Sequence, residues 1–483
     1  MHRALEIPEI PPMIVSHFDP DNYELGSGEN IDSPTLAALA RCRVFHEAAV
    51  NQLWKKQETL VNLIRCLPED ISNIKDLEES DLVFHPDYYG RRVKICTIGQ
   101  VLLCDLAAVM KFLRYRDVNN YLLPNLVELH WQPVFTDALL DIELVLGPRL
   151  SHLSVILPSG KLAEQFFATI SRTRPSLTSI QLQVDINSVD ATWQSILSRF
   201  VCSFPTLTSL YLTSAIDADA ILHLGELGGF KSLRFDMHDA SFLPAGLPRG
   251  QIFQDLSVFA FTEPSGVASS LDLVTSLVQS WDRSPLTSFK IDLESSPSAT
   301  SLEALFRALS EHCSHDALHT IEITLSCIQI PDTKFLVSSR GWTHLLMFPN
   351  LSSVQLLCRY RFDDEDMHAM ATAWPELKTL ELMSPRQNDP SITLRALLFF
   401  ARHCPKLESL QICLDARTVP SLALDDEPYP LHPALRRLFM EESLITQAVA
   451  AFISCLFPNS SFVHSSDPVS PGGNDNDAEC ASQ

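Results

Sequence analysis

The phrase Pro-x-Leu-x-x-φ-x-φ, with φ apolar, returns at near-constant distance along this chain, and such recurrence dictates architecture before it can dictate chemistry. It stands at 175–182 as PSLTSIQL, at 205–212 as PTLTSLYL, at 375–382 as PELKTLEL and at 405–412 as PKLESLQI. The last four positions alternate, which reads as a short strand with one buried face. Clear copies start at Leu126, Leu177, Leu207, Leu286, Leu318, Leu351, Leu377, Leu407 and Leu435, and weaker ones at Leu150, Phe230 and Leu256. The mean step is about 28 residues, with single steps from 23 to 33, so the period is that of an irregular leucine-rich repeat.

Between copies lie helix-like stretches. Trp193, Ile196, Leu197 and Phe200 share one helical face, as do Leu302, Leu305, Phe306 and Leu309, and residues 392–405 repeat the design. The proline cannot continue the helix and biases the residue before it away from the α region, so it hands the chain to the strand. No unit of this size buries its own apolar face, so neighbours stack. The expected fold class is α/β, a solenoid with parallel strands on the concave side and helices on the convex side. Regular leucine-rich repeats carry Asn or Cys three residues beyond the last strand leucine. Here Asp185, Ala215, Glu294, Arg359, Pro385 and Asp415 hold that slot, so no asparagine ladder is expected.

The chain of 483 residues, 46% hydrophobic and 20% charged, supplies ample apolar material for a large core. Length alone suggests about three domains. A repeat array relaxes that count. The formal net charge of −23 repels a phosphate backbone, and the longest basic run is Arg91-Arg92-Val93-Lys94. Nucleic acid is therefore not an expected partner, whereas basic proteins are favoured. The opening MHRALEIPEIPPMIV has no unbroken apolar core of a secretory signal, and no apolar run reaches the ~18 residues that span a bilayer. Twelve scattered cysteines without a C-x-x-C pair read as small buried hydrophobes in a reduced compartment. The expected location is cytoplasmic or nuclear, where the sequon at Asn350 never meets the glycosylation machinery.

Residues 36–57 carry a second feature. Leu36, Leu39, Ala40 and Val44 share one face, Cys42, Phe45 and Ala49 extend it, and Leu53 and Trp54 close the next turns. One helix or two short ones here bear a wider apolar stripe than so small a segment needs. The stripe either docks on the first repeat as a cap or binds a partner. Ile7-Pro8-Glu9-Ile10 looks like the opening phrase of an F-box, Ile14 and Phe18 fall where its first helix is apolar, Ala40-Arg41-Cys42-Arg43-Val44-Phe45 looks like its Cys-Arg-x-Phe phrase, and Leu53-Trp54 looks like its closing pair. Residues 4–57, followed by repeats, thus resemble the F-box-like, leucine-rich-repeat family of SCF-type ubiquitin-ligase receptors. Pro11-Pro12 requires the first helix to start late or kink.

The resemblance implies a non-catalytic substrate adaptor of a cullin–RING ubiquitin ligase. Ile7, Pro8, Ile10, Ile14, Phe18, Leu39, Cys42, Phe45, Leu53 and Trp54 would bind the S-phase-kinase-associated adaptor, and through it cullin. The expected organisation is an F-box-like helical domain at 1–65, a helical connector at 66–118, repeats at 119–464 and a polar, disordered tail at 465–483. The alternative is a repeat scaffold with no ligase connection.

No catalytic motif appears. His46-Glu47-Ala48-Ala49-Val50 begins like a zinc-protease helix but lacks its second histidine, and there is no Walker loop, G-x-G-x-x-G or G-x-S-x-G. His312-Cys313-Ser314-His315 is isolated from companion metal ligands. The run Asp363-Asp364-Glu365-Asp366 suits either a helix N-terminus or a docking patch for a basic partner. No cofactor and no metal are expected, and the chain is read as no enzyme. The strand residues between the apolar ones face outward. Of these, Tyr211, Lys290, Glu322, Gln355, Glu381, Gln411, Arg437 and Phe439 are the candidate contacts for a target protein, with Tyr211, Arg437 and Phe439 as anchors.

Overall fold

The structure is a computed structural model. It describes residues 7–18, 33–60, 62–63, 86–99, 121–132, 139, 142–143, 145–157, 160–173, 175–184, 191–237, 252–263, 270–294, 297–325, 339–358, 360–383, 391–420, 431–441 and 446–463. The chain divides into two compact units, Met1–Ser214 and Ala215–Gln483.

The first unit opens with three helices, α1 (Ile10–Ser16), α2 (Ser33–Ala40) and α3 (His46–Lys55). The prolines that threatened the first helix occupy its first turn, where a missing N–H costs nothing. Val15, Leu36 and Ala49 form the core of this module, with Phe18, Leu39, Ala40, Phe45, Ala48 and Leu53 packed on it. Among its described residues six strands follow: β1 (Lys56–Gln57), β2 (Ile95–Ile98), β3 (Glu128–Trp131), β4 (His152–Leu157), β5 (Ser179–Val184) and β6 (Ser209–Leu212). Each pairs in parallel with the next.

The described residues of the second unit form nine: β7 (Ser232–Asp236), β8 (Val258–Thr262), β9 (Ser288–Leu293), β10 (Thr320–Leu325), β11 (Ser353–Leu357), β12 (Thr379–Met383), β13 (Ser409–Cys413), β14 (Arg437–Glu441) and β15 (Ser461–Val463). These too pair in parallel, in sequence order. Both units are α/β leucine-rich-repeat stacks. Every expected copy of the phrase forms a strand in the expected register. In β12, for example, Leu380 and Leu382 are buried while Thr379, Glu381 and Met383 are half-buried on the other face.

The strands begin earlier than the first expected copy of the phrase. The sheet starts at Lys56, inside the expected N-terminal domain, and β2 lies in the expected connector. Val93-Lys94-Ile95-Cys96-Thr97-Ile98 is a copy headed by valine, with Val93, Cys96 and Ile98 buried. In β1 the core slot goes to Gln57, whose Nε2 donates to the carbonyls of Leu53 and Lys56. Most of the helical connector expected at 66–118 and the whole tail expected at 465–483 lie outside the described residues.

The proline has a second role that the phrase did not reveal. Leu377 N–H donates to Trp374 O at 3.2 Å and Leu407 N–H to Cys404 O at 3.1 Å, so Pro375 and Pro405 sit at the second position of β-turns, where a fixed φ is an advantage. The residue before each proline ends a helix outside the α region, Trp374 at φ −119, ψ 66 and Cys404 at φ −115, ψ 68.

That pre-proline residue is also a buried rung. Trp374 Nε1 donates to Leu345 O at 3.3 Å, Cys404 Sγ lies 3.5 Å from Trp374 O, and His432 Nε2 lies 2.7 Å from Cys404 O. Each polar atom reaches a carbonyl of the preceding repeat that already accepts one turn N–H and offers its second lone pair. On the strand side, two successive N–H groups share one carbonyl of the preceding repeat: Lys378 and Thr379 on Ser352, then Glu408 and Ser409 on Lys378. Thr208, Thr287 and Ser352 add hydroxyl donors to the same row. These bonds tie each strand start to the preceding repeat.

Candidate interaction surface

The outward strand residues of the second unit form registered rows. Lys290, Glu322, Gln355, Glu381, Gln411 and Phe439 are successive neighbours across β9 to β14. Seven of the eight candidate target contacts therefore share one face, with Arg437 one row away on β14. The eighth, Tyr211, is half-buried on β6 of the first unit, beside Gln181.

The row is electrostatically ordered. Lys290 Nζ lies 2.7 Å from Glu322 Oε1. Burial pushes the Glu381 carboxyl above its usual range, and the Glu322 charge adds to this, whereas Arg437 and a hydrogen bond to Gln355 oppose it. A carboxyl whose pKa is higher folded than unfolded contributes stability that is complete below the unfolded value and is lost as pH rises through the folded one. Glu381→Gln is therefore expected to melt above wild type at pH 7, with the gap closing as the pH falls towards 4.5, the group's ordinary value. Thermal melts of the two proteins across this range check it.

At the other end of the chain, the expected adaptor-binding residues divide. Phe18, Leu39, Phe45 and Leu53 belong to the core of the helical module. Trp54 stacks on Tyr89 with ring centroids 4.5 Å apart. Ile10 and Ile14 are half-buried, and Ile7, Pro8 and Cys42 are exposed. Met13, 65% exposed, was not singled out in the sequence, although it lies one helical turn from Ile10.

The other face of this module docks on the repeats. Arg92 bonds Glu47 Oε2 at 2.5 Å and lies 3.7 Å over the Tyr88 ring, and Tyr88 OH donates to Glu47 Oε1 at 2.8 Å. The bonds from Tyr88 and then Arg92 hold the Glu47 carboxyl below its usual range. Nearby, on the open face of β1 to β3, Lys56, Ile95, Thr97, Glu128, His130 and Gln132 line a pocket of about 370 Å³.

The remaining sequence candidates have structural roles. Asp363 caps the helix Asp364–Ala373 in a capping box with Asp366, and Asp364 accepts from Thr393 N and Oγ1 at 2.7 Å each. The acidic run is thus a helix start tied to the next repeat. His312 Nδ1 lies 3.0 Å from Trp281 O and His315 Nε2 2.7 Å from Ser310 O. Among the described residues no group of three or more His, Cys, Asp or Glu is placed to hold a metal. His46, on the surface, has Nδ1 2.6 Å from Ala40 O. Burial pushes the Cys96, Cys358 and Cys404 thiols up to about 12, so they stay protonated near pH 7. No described helix is long and apolar enough to cross a membrane.

No protein-family model matches the chain, and no curated protein sequence matches it. Among solved structures it is similar to the Rad7 and Elc1 complex in yeast, at 15% identity and TM-score 0.41, over 90% of this chain and 92% of that one. It is also similar to a leucine-rich-repeat protein of Leptospira interrogans, at 12% identity and TM-score 0.32, over 85% of this chain and 99% of that one.

Proposed function

We propose that the chain is a non-catalytic substrate-recognition adaptor of an SCF-type ubiquitin ligase. Its helical module binds the S-phase-kinase-associated adaptor, and through it cullin, while the open strand faces bind a target. The observation that supports this most is the division within the module. The residues that resemble an F-box build a small closed core, yet Ile7 and Met13 remain 47% and 65% exposed at its start. Exposed apolar side chains near the start of so small a module suit a protein partner. The repeats then hold the target near the charged conjugating enzyme, and rate comes from effective concentration. The location proposed with this role is cytoplasmic or nuclear.

The test is co-expression of the full chain with the ligase adaptor, followed by size-exclusion chromatography. Co-elution is expected, and Ile7→Asp with Met13→Asp should abolish it while leaving the melting curve unchanged. Separate elution of two folded proteins would favour a second reading, a repeat scaffold without a ligase role. The Glu47, Tyr88 and Arg92 clamp and the Trp54–Tyr89 stack speak for that reading, since they dock the module as a cap.

A further inference from the structure

The longest basic run of the sequence, Arg91-Arg92-Val93-Lys94, meets a second basic step in the fold. Lys56 of β1 is the register partner of Ile95 in β2, and Lys94 N–H donates to Lys55 O at 2.9 Å. The pairing sets Lys55-Lys56 beside the run across one strand spacing of about 4.8 Å. In a chain of net charge −23 this is a local reversal of sign. Arg92 is engaged by Glu47 and the Tyr88 ring. Lys56, Arg91 and Lys94 are exposed, and among the described residues none of these three side chains is in an ion pair. Glu58, one residue past β1, is exposed and leaves the patch net positive.

The pocket on the open face of β1 to β3 adjoins this patch, because Lys56 belongs to both. Its lining offers the Lys56 ammonium, the Thr97 hydroxyl and the Gln132 amide as donors, with Ile95 as its apolar part. Its one carboxylate, Glu128, has Oε1 2.7 Å from His130 Nε2 and is engaged within the wall. A space of about 370 Å³ takes side chains rather than a helix, which is about 10 Å wide.

Charge and number select the ligand. A carboxylate in the pocket receives a charge-assisted bond from Lys56, which no described residue supplies with a counter-ion. Nucleic acid fits poorly: a duplex carries one charge per about 1.7 Å, and its binders typically neutralise about 6–10 phosphates, against three free cations here. A protein segment with a few Asp or Glu residues matches that number. Repulsion from the rest of the chain fades over about 8 Å at physiological ionic strength, so the patch decides the interaction at contact.

We propose that this patch and pocket of the first unit bind an acidic segment of a partner protein, one carboxylate entering the pocket at Lys56 and others meeting Lys94 and Arg91 at its rim. The surface is separate from Ile7 and Met13, so this proposal and the adaptor-binding reading can fail independently. The test measures fluorescence anisotropy of a short labelled peptide of alternating Glu and Ser with the full chain, beside the same peptide with Gln for Glu and an oligonucleotide of equal charge. The Glu peptide is expected to bind at least tenfold more tightly than the Gln peptide and the oligonucleotide. Lys56→Glu with Lys94→Glu should weaken it at least tenfold, as should Thr97→Phe, which fills the pocket. Arg307→Glu, a charge reversal on the exposed side of a second-unit helix, should leave it unchanged. Melting curves establish that each variant is folded, and Lys56→Gln with Lys94→Gln carries the test if the reversals are not. Equal binding of the Glu and Gln peptides, or equal losses with the paired reversals and with Arg307→Glu, would overturn the site. An oligonucleotide bound as tightly as the Glu peptide would overturn the choice of a protein segment. Full binding in Thr97→Phe would overturn the pocket's part in it.

Discussion

Leu380→Asp is expected to lower the melting temperature by about 10 °C or more and to remove hydrogen-exchange protection from β11 to β13. Leu380 is fully buried, and its register partners Val354 and Leu410 are buried as well. An aspartate there has no donor to pair with and must either protonate or open the layer, a cost of several kcal/mol. In a unit of this length about 4 kcal/mol corresponds to roughly 8–16 °C. The neighbour supplies the control. Glu381 is half-buried on the opposite face and its charge is already held at a cost, so Glu381→Ala should change stability by less than about 0.5 kcal/mol. Equal losses in the two melts would mean a strand register wrong by one residue, since a shift of one exchanges the faces.

The alternation made the register legible. Wherever a leucine heads the phrase and two apolar residues follow at the right spacing, the strand is where the sequence puts it, and the outward residues fall into rows. Legibility failed where chemistry replaced the leucine. Gln57 fills a core slot because its amide is satisfied by backbone carbonyls. Asn459 takes the leucine position before β15, and its Nδ2 donates to Pro433 O at 3.1 Å. Neither looks apolar, so neither advertises a strand. The bonds that tie each strand start to the preceding repeat were hidden for another reason: most of their donors are backbone N–H groups, which every sequence has.

The candidate site was half legible. Strand alternation identified the outward row of the second unit, because outward is defined by what is not buried. For the helical module no such rule exists. Phe18, Leu39, Phe45 and Leu53 are as apolar as Ile7, and only packing tells which serve the core and which remain exposed. A resemblance carries the residues of a motif as one set. The structure separates that set into core, docking contact and free surface, and a test of partner binding belongs to the last group alone.

Trp374→Ala is expected to destabilise the second unit by about 3–5 kcal/mol. Trp374 is fully buried at the junction of helix, turn and strand. Its N–H donates to Met370 O at 3.0 Å, its carbonyl accepts from Leu377, and its indole crosses to Leu345 O in the preceding repeat. Alanine keeps the two backbone bonds and loses the ring and the crossing bond, so the loss is packing plus one inter-repeat tie. Trp374→Phe separates these parts. It retains most of the ring and removes only the donor, while Leu345 O keeps its bond from Phe348 N–H at 3.2 Å, so the lost crossing bond should cost about 1 kcal/mol, with a further part from the smaller volume. Denaturant titrations of both variants provide the check. If phenylalanine costs as much as alanine, the crossing bond dominates and the pre-proline column is the main tie between repeats. If phenylalanine is nearly silent, shape alone holds the rung. Cys404 and His432, which reach the preceding repeat with quite different side chains, would then owe their places to size rather than to the bonds they make.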